Sequence, residues 1–209
     1  MSSGVAVDLA LVLAVDCSSS VDAADFRLQM DGIAAALRNP AVFAAIAGGS
    51  NRQIALSLVQ WSSRGQQAIT LPWRLLGGPL DLRAAARDVE AAERRWRPGG
   101  TGLADAIDFS AALLTALPIE SARRVIDVSG DGEDNEAGRP ARARDAAVAA
   151  GIVVNGLPIV NGSVGLERYY RQQVIGGPGC FVTPAETIMS FQDAMTRKLL
   201  REVQGPAML

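Results

Sequence analysis

Residues 7–15 form a near-continuous apolar run, interrupted only by Asp8. A strand that is apolar at almost every position must be buried on both faces, the condition of a central strand in a parallel sheet with helices above and below. No other segment constrains the fold as tightly. The run ends in Asp16-Cys17-Ser18-Ser19-Ser20, which places one carboxylate and two hydroxyls in a single tight loop at a strand end.

Strand and helix signals then alternate, as they do in layered α/β proteins. Residues 22–37 read as a helix, with Phe26, Met30, Ile33 and Leu37 on one face, and Asn39-Pro40 ends it. Residues 53–61 read as a strand. Residues 67–76 read as its antiparallel return, and Pro72 assigns that strand to a sheet edge. Helices follow over 81–94 and 103–117, a strand over 123–128, a helix over 139–150 and a buried strand over 152–159. A short helix (166–174), a last strand (181–183) and a closing helix (185–203) complete the pattern. The expected fold is one α/β domain, residues 1–209 with a core of about 7–203. Its sheet is open, Rossmann-like and mostly parallel, with one antiparallel edge strand and helices on both faces.

Composition narrows the chemistry. A chain of 209 residues with 49% hydrophobic and 20% charged residues should bury roughly 70% of its extended surface. The net charge of −2 offers no basic field for nucleic acid or an anionic membrane. The chain has no histidine, which removes histidine triads, histidine acid–base pairs and histidine metal ligands. Lys198 is the only lysine. Cys17 and Cys180 are no disulfide framework, and their places at opposite edges of the expected sheet predict two free thiols. No run of about 18 apolar residues occurs, so no spanning helix is expected. The N-terminal segment lacks a basic leader region and reads as a leader-free start.

Two further stretches complement residues 16–20. Gly99-Gly100-Thr101-Gly102 opens a helix and offers a third hydroxyl, and Ser129-Gly130-Asp131-Gly132 closes a strand and offers a second carboxylate. Sites in open parallel sheets form at the carboxyl ends of strands, near the reversal of strand order. Asp16, Ser18, Ser20, Thr101 and Asp131 are therefore the expected ligands of one hard divalent cation, Mg²⁺ first, with Mn²⁺ or Ca²⁺ as alternatives.

Asp16-x-Ser18-x-Ser20, Thr101 and Asp131-Gly132, in that order, resemble the metal-ion-dependent adhesion site of von Willebrand factor type A domains, and the element pattern agrees from about residue 7 to 203. The resemblance implies a six-stranded Rossmann-like sheet, no enzymatic activity, and capture of a protein ligand's acidic side chain through a bridging Mg²⁺. More narrowly, Arg124-Val-Ile-Asp-Val-Ser-Gly-Asp-Gly132 and Tyr169-Tyr170 with Ile175-Gly-Gly-Pro-Gly179 resemble a bacterial branch of type A-like proteins. Export to the periplasm or medium is implied by that branch, with a cytoplasmic place left open. The loop Gly132-Glu133-Asp134-Asn135 is more acidic than many in the class and offers extra rim ligands.

Other readings compete. Ser18–Ser20 with Asp22 also suit a helix N-cap, Gly99-Gly100-Thr101 a loop and cap, and Asp131-Gly132 a plain turn. The strongest enzyme alternative is a Mg²⁺-dependent phosphatase of the haloacid dehalogenase type, with Asp16 as nucleophile and residues 130–134 as its metal loop. Against it, Ser18 stands where that class carries an acid, and a phosphate-binding lysine is missing from the expected place. Asp127 lies inside a strand and needs partners if buried; support of the metal loop and structural polarity are equally open. Arg94-Arg95-Trp96-Arg97 reads as a solvated helix end with one anchored aromatic. Cys17 reads as a small packed residue.

Overall fold

The computed structural model describes residues 5–97 and 99–205. In chain order the elements are β1 (Ala6–Val7), β2 (Leu9–Asp16), α1 (Ala23–Arg38), α2 (Pro40–Ala47), β3 (Ile54–Trp61), β4 (Gln67–Leu76), α3 (Pro79–Glu90), α4 (Leu103–Thr115), β5 (Glu120–Ser121), β6 (Arg124–Gly130), α5 (Pro140–Ala149), β7 (Ile152–Pro158), α6 (Leu166–Tyr169) and α7 (Phe191–Gln204). A π-helical turn, Tyr170–Val174, continues α6, and a 3₁₀ turn, Ile188–Ser190, precedes α7.

Five strands form one sheet in the order β4-β3-β2-β6-β7, with only the β3–β4 pair antiparallel. All eight residues of β2 are buried, as its apolar sequence requires. Strand order reverses between β2 and β6, so the crevice for a ligand opens where Asp16 and Gly130 end their strands. The edge strand β4 tolerates Pro72 because the ladder with β3 shifts register beside it. Leu56 pairs with Arg74 and Leu58 with Leu71, and Ser57 Oγ donates to the carbonyl of Leu71 at 2.8 Å.

Each sheet face carries its own core. On one, α1 supplies Phe26, Met30, Ile33 and Leu37, joined by Val42 of α2, Leu82 of α3 and Leu199 of α7. On the other, Leu103 and Ile107 of α4 pack with Ala143 of α5, Leu166 and Tyr170. Burying a side chain the size of Ile33 contributes about 1.5–3 kcal/mol. Gly32 lets α1 approach α7: a Cβ there would lie 2.8 Å from Cδ1 of Phe191.

Five expectations need correction. Asp8 splits the first apolar run, because its carboxylate turns aside to accept from the Asn51 backbone N–H at 2.9 Å; Val7 pairs instead in a short parallel ladder between β1 and β5. Asn39-Pro40 ends α1 but also starts α2, with the Asn39 side chain capping Ala41 N–H and Pro40 preset at the first helical position. Residues 181–183 make a single isolated bridge to β7, Val182 with Gly156, rather than a sixth strand. Neither Pro184 nor Pro158 can donate to a ladder there. The closing helix begins at Phe191 rather than at 185, because Ala185 is held extended by bonds to Pro158 and Val160. The helix expected over 81–94 also stops at Glu90, which frees Arg94 for another role.

Candidate metal centre

Asp16 is wholly buried and Ser18 nearly so. The loop after β2 folds back so that the Ser18 backbone N–H donates to Asp16 Oδ1 at 2.7 Å. Ser18 Oγ lies 3.2 Å from Ser20 Oγ, and Ser20 Oγ donates to Asp131 Oδ1 at 2.6 Å. A single hydroxyl thus joins two loops 111 residues apart in the chain. Asp22, not a serine, caps α1, accepting from the backbone N–H of Ala24 and Asp25. The serines are therefore not needed as caps.

Thr101 is buried on the loop that enters α4. That loop docks on residues 16–20 through Ser19 N–H to the Gly99 carbonyl at 2.9 Å and Gly99 N–H to Ser19 Oγ at 2.8 Å. It docks on the β3–β4 turn through Gly102 N–H to the Ser62 carbonyl at 2.8 Å. Close approach explains its glycines: a Cβ on Gly100 would collide with the Glu136 carboxylate. Thr101 does not cap α4. Asp134 does, accepting from Ala104 N–H at 3.1 Å while also holding the Gly138 and Glu136 N–H groups. Gly132 approaches Thr101, since a Cβ on it would lie 3.6 Å from Oγ1. All five expected residues are thus on three interlocked loops at the carboxyl edge.

The electrostatics are unbalanced. Asp16 Oδ2 is buried without a hydrogen-bond partner. Burial pushes the Asp16 carboxyl up to about 7 against the stabilising Ser18 bonds, and Asp131 adds to the rise. Asp25, beside Asp22 and Asp131, is also raised, chiefly by burial. Gly130 forms the floor, where a Cβ would stand 3.0 Å from both Asp16 Oδ2 and the Tyr170 hydroxyl. A cation fits this donor set: hard oxygens, two of them on carboxylates, with one buried acidic oxygen unanswered by the protein. Among the described residues no cluster of three or more His, Cys, Asp or Glu could hold a metal, so any cation here must rely on the hydroxyls.

Several supporting residues carried no clear sequence signal. Arg94, expected on a solvated helix end, crosses to the site. It donates to the carbonyls of Cys17 at 3.0 Å and Ser18 at 2.6 Å, while Trp96 packs on the core. Gln60 holds the same segment through Glu93 and Arg95. Asn135 clamps Thr101, accepting from its N–H at 2.7 Å. The acidic sequence of that loop offers rim ligands, yet Asp134 is committed to backbone N–H groups. Asp127 pairs with Lys198 at 3.1 Å, in the core on the α7 side. Cys17 donates to the Trp61 carbonyl at 3.2 Å, and burial beside Asp16 pushes its thiol up to about 12; both cysteines are free.

The phosphatase alternative finds no support. Asp16 is too deeply buried to meet a substrate, and the only lysine is locked against Asp127 and Glu202.

An open, mostly parallel sheet with helices on both faces and three oxygen-rich loops at its switch point defines a von Willebrand factor type A fold. The chain belongs to the family described as "Protein of unknown function (DUF1194)", which it matches over residues 6–207. No curated protein sequence matches it. Among solved structures, proximal thread matrix protein 1 from the mussel byssus superposes with a TM-score of 0.70 at 13% identity, covering 96% of this chain and 48% of that one. A von Willebrand factor type A structure from Catenulispora acidiphila gives 0.65 at 16%, covering 94% and 43%. The mussel protein "with zinc occupied MIDAS motif" gives 0.58 at 14%, covering 94% and 47%. The chain spans less than half the length of each, and these likenesses establish the fold. No described helix is long and apolar enough to cross a membrane.

Proposed function

We propose that this chain is one divalent-cation-dependent protein-binding module, not an enzyme, and that it works outside the cytoplasm. Asp16, Ser18, Ser20, Thr101 and Asp131 would hold Mg²⁺, or Mn²⁺ or Ca²⁺ in its place. The bound ion would supply a Lewis-acidic contact for an acidic side chain of a partner protein. The observation that carries this reading is the buried, unpartnered Oδ2 of Asp16 beneath the Ser20–Asp131 link. The zinc in the mussel protein's motif is a precedent within the fold. Ser20 is exposed and Asp131 half-exposed, so a partner can reach the outer rim while Asp16 keeps the inner charge dry. Arg94 and Asn135 fix the loops in advance, which lowers the entropy lost on binding. Three of the five side chains offer neutral hydroxyls, so the ion would keep an electrophilic position for the partner, and cation and partner must raise each other's affinity by the same factor.

Titration calorimetry with Mg²⁺ and Mn²⁺ tests the reading. The wild type is expected to bind at one site. Asp131→Ala is expected to lose that binding and to melt in chelator within a few degrees of wild type. Equal cation binding by both proteins would overturn the assignment.

A further inference from the structure

The only lysine of the chain is among its most deeply buried side chains. Lys198, on α7, has 0% exposure. Its Nζ stands 3.1 Å from Oδ1 of Asp127 on β6 and 3.0 Å from Oε1 of Glu202, one turn further along α7. The Phe181 ring covers the amine, with its centroid 4.3 Å from Nζ. Glu202 is held in place by Asn155, whose amide donates to Oε1 at 2.9 Å and to Oε2 at 3.0 Å. Asn155 is fixed in turn by the Phe181 N–H, which donates to Oδ1 at 2.8 Å. Neither oxygen of Asp127 has a hydrogen-bond partner; its neighbour is the amine.

An ion pair needs one carboxylate, and here two face one ammonium in an apolar core, with the half-buried Arg123 close enough to Glu202 to offset part of the excess. The excess negative charge is costly at this depth. One added proton makes the cluster neutral. Burial pushes the Asp127 carboxyl up, Lys198 opposes that push, and Glu202 reinforces it. The neutral cluster contains an ammonium, a protonated carboxyl and a carboxylate that can carry a proton between them.

We infer that Lys198 and Asp127 condense to an intramolecular isopeptide bond, with Glu202 carrying the proton. The ammonium of Lys198 passes a proton to Glu202, and the free amine attacks Cγ of protonated Asp127. A C–N bond forms. Glu202 returns its proton to the departing hydroxyl and takes one from the attacking nitrogen. The C–O bond breaks, one water leaves, and nothing is oxidised or reduced. Glu202 ends protonated, so the core ends neutral. Fixed contact of this kind is equivalent to an effective concentration of about 10⁵ M or more, which favours the amide over its hydrolysis. The water has an exit, because Asn155, Phe181 and Glu202 line a cavity of about 800 Å³. The bond ties α7 to the strand that ends at the candidate metal loop, a covalent closure that restricts the unfolded chain as a long-range disulfide does.

The mass of the purified wild-type chain decides the matter. Denatured, it is expected to be lighter than its sequence by one water. Cyclisation at Asp131-Gly132 would change the mass equally, so the site must be mapped. Trypsin is expected to release residues 198–201 joined to residues 125–142. Lys198→Arg keeps the cation and Glu202→Gln keeps the shape; both are expected to show the full sequence mass. A wild-type chain of full mass, or a water loss mapped to Asp131, would overturn the inference. The wild-type map stands even if neither variant folds.

Discussion

Asp16 and Asp127 are two buried carboxylates on adjacent strands, facing opposite sides of the same sheet, and they differ in what answers their charge. Asp127 meets the Lys198 ammonium at 3.1 Å, with Glu202 and Asn155 completing a network among α7, β6 and β7. Asp16 meets only the Ser18 N–H through one oxygen, and its other oxygen is unpartnered. One site is answered from within the chain. The other is placed where strand order reverses, beside Asp131, and on the present reading takes its counter-charge from solution. The comparison teaches that burial of a carboxylate says nothing by itself; the source of the opposing charge separates a structural group from a binding one.

The largest expected effect comes from removing the internal answer. Lys198→Met removes both the link to Asp127 and its cationic precursor and leaves Asp127 and Glu202 buried together, so the loss should be at least that of a broken buried pair, about 3–5 kcal/mol. Urea unfolding in chelator measures it. A loss no larger than that of a surface substitution would erase the distinction between the two aspartates.

Asp16→Asn should do the reverse. Asparagine keeps the acceptor for Ser18 N–H and removes the unanswered charge. Near neutral pH and without cation, it is expected to stabilise the fold by on the order of 2 kcal/mol while abolishing Mg²⁺ binding. Destabilisation comparable to Lys198→Met would mean that Asp16, too, has a partner within the protein.

The pH dependence follows from the same contrast. Asp16 has an ordinary value of 3.8 and a folded value of about 7, so between these limits the folded chain keeps a proton that the unfolded chain has released. Stability contributed by the protonated form is therefore present at the acid end and is lost as pH rises through that window. Melting in chelator is expected to fall as pH rises from about 4 to about 7. Saturating Mg²⁺ should flatten this slope. A profile that Mg²⁺ leaves unchanged would place the cation elsewhere.

The sheet and the five ligand candidates were legible because both rest on local patterns. An apolar run such as residues 9–15 reads as a doubly buried strand, and oxygen-bearing side chains at three strand ends or helix starts fall at one edge once the strands are parallel. What was hidden depended on contacts distant in sequence. Arg94 reads as one of several arginines in Arg94-Arg95-Trp96-Arg97 until Gln60 draws its segment over the Cys17 and Ser18 carbonyls. Lys198 is 71 residues from Asp127, and its helix gives no sign that one cation is buried. The extra helix α2 was missed because Asn39-Pro40 signals both a stop and a start. Pro158 and Pro184 are visible in the sequence, but their joint cost to a sixth strand appears only once the two segments lie side by side.

The smallest expected effect concerns Arg94, and its sign separates two influences on the site. Its guanidinium fixes the loop by donating to the Cys17 and Ser18 carbonyls, yet its positive charge repels an incoming cation. Arg94→Met removes both. Losing these half-buried bonds should cost about 1 kcal/mol of stability. Cation affinity should fall a few-fold in high salt, where a screening length of about 3 Å at 1 M leaves only the positional role. At low ionic strength the relieved repulsion offsets part of that loss, so the gap between variant and wild type should narrow. Calorimetry at the two ionic strengths reads the difference. Tighter binding by Arg94→Met at both would show that the loop needs no clamp, and that its geometry is set by the Ser20–Asp131 link alone.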